Sequence, residues 1–173
     1  MLHPGVYVIG RKVGGAGFAT HQYVVLVPSK SSVLGSAKAL GPMHYVILGA
    51  YSVNGYLRAA QFAESDHNHF RSIKHVEGSG VQSANFVVCW ISSDIPVQRI
   101  FVAYEKFRKH EGLPGEIRYP EGPTDHLFET RFNSNSWAQS CIKWAAGNLV
   151  MRENNLPGLD IGNDRVIPEK YFI

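Results

Sequence analysis

The hydrophobic pattern changes period once along the chain. Up to about residue 91 the apolar residues come in short β-rich runs; after it they recur at helical spacing. Val6 to Ile9 is a short run of this kind. His21 to Val27, HQYVVLV, is the strongest strand signal and is stopped by Pro28. Residues 29 to 42 are rich in Ser and Gly and read as a loop. His44 to Ala50, HYVILGA, follows as another strand. Asn54-Gly55 is a hairpin signal, so Tyr56 to Phe62 is expected to return beside it. Asn85 to Ile91, NFVVCWI, completes the strand-rich half.

The second half reads differently. Asp94 has the character of a helix N-cap, Pro96 suits a first turn, and Ile100, Phe101, Tyr104 and Phe107 follow at helical spacing until Gly112. Residues 112 to 130 carry three prolines and read as a long loop. A second helix is predicted from about Ser136 to Asn148, with Trp137, Cys141, Trp144, Ala145 and Leu149 as its buried stripe. Strands first and helices later predict an α+β domain spanning residues 1–173, with a mainly antiparallel sheet packed against that second helix.

Composition narrows the function classes. Hydrophobic residues make up 45% and charged residues 18% of 173 residues, which describes a chain able to bury a core and excludes a disordered one. The net charge of +3 does not demand nucleic acid, and no apolar run reaches membrane-spanning length. Cys89 and Cys141 both lie in apolar runs and are expected to be buried, reduced thiols. The N-terminus, MLHPGVYVIGRKV, lacks a basic start followed by a long apolar run, so cytoplasmic synthesis without a signal peptide is expected. Action elsewhere would then need a dedicated delivery system.

The stretch with the most chemistry is Asn133-Ser134-Asn135-Ser136, just before the second helix. Ser136-Trp137-Ala138-Gln139 matches a capping box, with Ser136 as the cap. That leaves Asn133, Ser134 and Asn135 without a structural reason. A helix N-terminus offers free N–H groups and a positive dipole end, so it can stabilise an anionic nucleophile and hold an oxyanion. Such a nucleophile needs a base. His21 opens the strongest strand and could supply it.

A histidine at a strand start, several strands, and then a polar-nucleophile-polar-polar-aromatic motif opening a helix resembles the circularly permuted NlpC/papain-like superfamily, the group that contains relatives of lecithin:retinol acyltransferase. Members carry Asn-Cys-Glu-His-Phe, and Asn133-Ser134-Asn135-Ser136-Trp137 fits that frame with serine in place of cysteine. The order also resembles uncharacterised bacterial effector and toxin-like domains with a Pro-Gly tail, here Pro157-Gly158. The resemblance implies Ser134 as nucleophile and His21 as base. It implies Asn133, Asn135 and Trp137 beside the substrate, with His126 of the preceding loop lining the groove. A second frame puts Ser136 in the nucleophile position, because Ser136-Trp137-Ala138 echoes the Cys-Trp-Ala of unpermuted papain-like enzymes. Serine depends more heavily on its base than cysteine does. Ser52, Gln61 and Asn54 are candidates for a third group holding the His21 ring. The implied function is a hydrolase or acyltransferase that cleaves an amide or ester in a peptide, a peptidoglycan stem or an acyl lipid. It needs no cofactor and no metal, and a cognate inhibitor or a delivery protein could be its partner.

Two other readings compete. Asp66-His67-Asn68-His69, with His75 nearby, has the residue types for zinc, and a metal-dependent nuclease centred on His67 and His69 would also use the basic pI of about 8.9. The segment reads as a loop or short helix, which does not suit a His-x-His pair. The third reading is an interaction module that kept the fold and lost the chemistry. Gly14-Gly15-Ala16-Gly17 precedes a strand and has no acidic residue at the right distance, so it reads as a flexible loop and not as a dinucleotide fingerprint.

Overall fold

The computed structural model describes residues 3–13, 20–40, 43–72, 86–90, 93–120, 131–147 and 165–173. Among these residues six strands form a single sheet: β1 Gly5–Lys12, β2 Thr20–Val27, β3 Lys38–Leu40, β4 Met43–Val53, β5 Tyr56–Gln61 and β6 Phe86–Trp90. Every pairing is antiparallel. The order runs β3-β4-β2-β1-β6, with β5 also paired to β4. Among the described residues three α-helices accompany the sheet: α1 Glu64–Ser72, α2 Ile95–Lys109 and α3 Ser134–Ala146. The α+β class and the antiparallel sheet expected from the change of period are what the chain forms.

The hairpin between β4 and β5 turns where Asn54-Gly55 predicts. Both residues take positive φ, 53° and 78°, and Val53 pairs with Tyr56 across the turn. Only residues tolerant of the left-handed region allow such a two-residue turn to match the twist of its strands.

Strand residues alternate between faces, and here both faces are covered. On one side Val6, Val8, Val24, Leu26, Val46 and Leu48 pack against Val97, Ile100, Tyr104 and Phe107 of α2 and against Trp137 and Cys141 of α3. On the other, Tyr7, Ile9, Tyr23, Val25, Tyr45 and Ile47 surround Phe70 of α1. The strand β2 is therefore buried from His21 to Val27 on both sides. Its run of apolar residues without polar alternation is the sequence signature of that position.

The stripe predicted for α3 is largely observed. Trp137, Ala138, Cys141, Ile142 and Ala146 are buried, while Trp144 and Ala145 are partly buried against the same core. Trp144 Nε1 donates to the Ile167 carbonyl at 2.8 Å, tying the C-terminal segment to the helix. Cys141 is a free, buried thiol as expected. Cys89 lies on β6, whose side chains are outside the described residues, as are Leu149 and the Pro157-Gly158 tail.

Two helix starts differ from the sequence reading. Asp94 stands at the N-cap of α2, but its carboxylate does not cap. It accepts instead from the backbone N–H of Ser29 at 2.8 Å and from the Ser29 hydroxyl. For α3 the cap is Asn133 and not Ser136, because the helix begins two residues earlier than expected. Ser136 N–H donates to Asn133 Oδ1 at 3.0 Å. The expected capping box does not form, since Gln139 is drawn away to the sheet.

Candidate functional site

Two polar clusters lie on opposite sides of β2, one built around α3 and one around α1. At the start of α3 the Asn-Ser-Asn-Ser motif is almost wholly buried: Asn133 is 7%, Ser134 3%, Asn135 1% and Ser136 0% exposed. Each asparagine has a structural task. Asn133 caps the helix, and Asn135 Oδ1 accepts the backbone N–H of Gln22 at 2.8 Å, where β2 has run past its pairing with β4. Gln139 Nε2 donates to Gln22 Oε1 at 2.6 Å, so helix and strand are joined twice. Ser140 donates to the Ser136 carbonyl and accepts from Ile167 N–H. The Ser134 hydroxyl donates to Asn135 Oδ1 at 3.4 Å. Burial raises the pKa of Tyr119, and hydrogen bonds from the Ser134 side chain and backbone partly offset that rise.

Gln22 points to α3, so its neighbour His21 points the other way. There His21 Nε2 lies 3.0 Å from Asp66 Oδ2, and the imidazole stacks on Tyr51 with ring centres 4.9 Å apart. His21 and Ser134 therefore do not meet. Each has its own partners, and their side chains belong to different faces of the sheet. Trp137, expected beside the substrate, is fully buried between Tyr104 and Phe107. His126, His75 and residues 14–17 fall outside the described residues.

The group that holds His21 is Asp66, not Ser52, Gln61 or Asn54. Its side chain is 0% exposed and also receives Arg11 Nε at 2.7 Å and the Tyr51 hydroxyl. Burial alone would raise its pKa. The hydrogen bond and charge of His21, with Tyr51 and Arg11, outweigh burial and hold the carboxyl below its usual range. Burial and the adjacent Asp66 charge push Tyr51 strongly up, which keeps it a hydrogen-bond donor. The second nitrogen of His21, Nδ1, has no hydrogen-bond partner among the described residues.

The Asp66-His67-Asn68-His69 segment is helical. Residues two apart on a helix point about 200° from one another, so His67 and His69 straddle its axis. His67 Nε2 meets the Tyr45 hydroxyl and His69 Nδ1 the Tyr23 hydroxyl, each at 2.8 Å. The two imidazoles are spoken for by different strands, and among the described residues no cluster of three or more candidate metal ligands occurs. Sequence reasoning missed Asp66 as the partner of His21, together with Arg11, Tyr23 and Tyr51. One signal was available: Asp66 and Phe70 are four apart, so on a helix both face the sheet.

Compared with family models, curated proteins and solved structures, the chain matches none. Among the described residues no helix is long and apolar enough to cross a membrane.

Proposed function

We propose that this chain is a hydrolase or acyltransferase acting on an amide or ester bond, with His21 as general base and Asp66 as the group that orients it. The observation that carries this reading is a fully buried carboxylate 3.0 Å from a nearly buried imidazole at the start of a strand. A buried carboxylate is costly to maintain without a task, and a carboxylate on one imidazole nitrogen leaves the other to take a proton. The nucleophile in this arrangement is a water or substrate hydroxyl that reaches Nδ1. Ser134 is held by Asn135 and Tyr119 on the other face and is not assigned the attack. The permuted papain-like resemblance supplies the substrate class: a peptide, a peptidoglycan stem or an acyl lipid.

The test is hydrolysis of an activated ester, a stem peptide and an acyl lipid by the intact chain, with a serine-directed acylating probe in parallel. His21→Ala and Asp66→Asn should each lower turnover by about 10²–10⁴-fold, and the probe should label neither Ser134 nor Ser136. Full turnover by His21→Ala refutes the assignment of the base. Labelling of Ser134 that requires His21 restores the serine as nucleophile and implies a rearranged α3 N-terminus. A second reading, a module without catalysis, is favoured by the closure of the Asn133–Ser136 cluster around structural hydrogen bonds. Absence of turnover on all three substrates selects it.

A further inference from the structure

The helix α1 is held to the sheet in an unusual way. Helices normally dock through an apolar stripe, but ESDHNHFRS offers only one large apolar side chain, Phe70. The rest of the grip is polar and titratable. Asp66 binds Arg11, His21 and Tyr51; Ser65 accepts from Arg11 at 3.0 Å; His67 meets Tyr45 and His69 meets Tyr23. A helix of 9 residues is too short to persist undocked. Whatever breaks these contacts therefore melts the helix as well.

We infer that α1 is an acid-released latch: protonation of His67 and His69 undocks Glu64–Ser72 and withdraws Asp66 from His21.

The surroundings of each imidazole set the direction. His67 faces Tyr45 of β4 and Phe62, with Lys38 of β3 and Arg71 of α1 as the nearby charges. His69 faces Tyr23 and His21 of β2 and Arg11 of β1, with Asp66 as the opposing negative charge. Burial first, and then these cations, hold both imidazoles below the usual histidine value of 6.5. The released helix returns them to that value, so it binds more protons than the docked one. Docking is thus fully favoured above 6.5 and is lost as pH falls through the lower docked values. Asp66 adds a second window. Its carboxyl is depressed only in the docked state, so docking weakens again below 3.8. The latch itself stands whether or not His21 is a base; any acid loss of turnover rests on that proposal.

Hydrogen–deuterium exchange of the whole chain tests it. Peptides covering residues 62–72 are compared at pH about 7.5 and about 5.5 after correction for intrinsic rates, with α2 as internal control. Protection of α1 should fall about tenfold or more at the lower pH while α2 is unchanged. The His67→Gln/His69→Gln variant cannot take the charge and should keep α1 protected at both. Equal protection of α1 at the two pH values overturns the inference, as does a double variant that opens like the parent. Should that variant expose α1 even near neutrality, proton NMR titration of the parent decides. Imidazoles of His67 and His69 titrating below 6.5 support the latch, and values at or above it refute it.

Discussion

Gly49 makes the Asp66 cluster possible. It sits on β4 opposite Tyr23, and a Cβ there would lie 2.6 Å from the Tyr51 hydroxyl and 2.7 Å from Asp66 Oδ2. Both atoms are pinned, so neither can give way cheaply. Gly49→Ala is expected to cost about 1–3 kcal/mol in urea unfolding through this overpacking. Gly35→Ala meets nothing within 4 Å and should leave the midpoint nearly unchanged. Equal midpoints for the two variants would show that the cluster yields easily. At this scale the sequence was legible only in part. His21 stands out because it opens a strand, but nothing in the order of residues says that Asp66 lies beneath it, since the link spans 45 positions.

The start of α3 shows why a local motif misleads about an element. Ser-Trp-Ala-Gln has the spacing of a capping box, yet Gln139 finds a better partner in Gln22 on β2, and the cap passes to Asn133. Local patterns do not see a strand that packs across the helix. Asn133→Ala should therefore cost about 1 kcal/mol of stability through the lost cap. Asn135→Ala should cost about 1–3 kcal/mol, because it leaves the buried Gln22 N–H without its acceptor. Ser136→Ala keeps the Asn133 cap on its backbone N–H and should cost less than either. Thermal melts of the three variants rank them, and a larger loss for Ser136→Ala than for Asn133→Ala would return the cap to Ser136.

For the molecule as a whole, the positions of five of the six described strands and of two helices were legible from periodicity, and so was the turn at Asn54-Gly55; β3, Lys38–Leu40, falls within the stretch 29 to 42 that reads as a loop, because three residues at a sheet edge are too few to show a period. The role of residues 64–72 was not legible, because a helix that docks through histidines and a carboxylate carries no apolar stripe to read. Burial across the sheet has a direct consequence for Cys141. Burial pushes its thiol well above the ordinary range, and Sγ faces the Ile100 carbonyl at 3.7 Å. In native buffer a thiol reagent should modify Cys141 only as fast as the protein opens. Immediate labelling would mean that the α2–α3 core is not closed.

The alternation along β2 has one more implication. Tyr23-Val24-Val25-Leu26-Val27 is apolar throughout and buried on both faces, so sliding it by one position would exchange its faces at little hydrophobic cost. What tells the two placements apart is the dipeptide at its head. The imidazole of His21 suits only the carboxylate side and the side-chain amide of Gln22 only the side of Gln139. These two residues work as a key that fixes the thread of the strand. Transposing them, as His21→Gln with Gln22→His, would send an imidazole toward the serines at the head of α3. The same backbone would then hold the base and the hydroxyls on one side, an exchange of neighbours rather than a new scaffold.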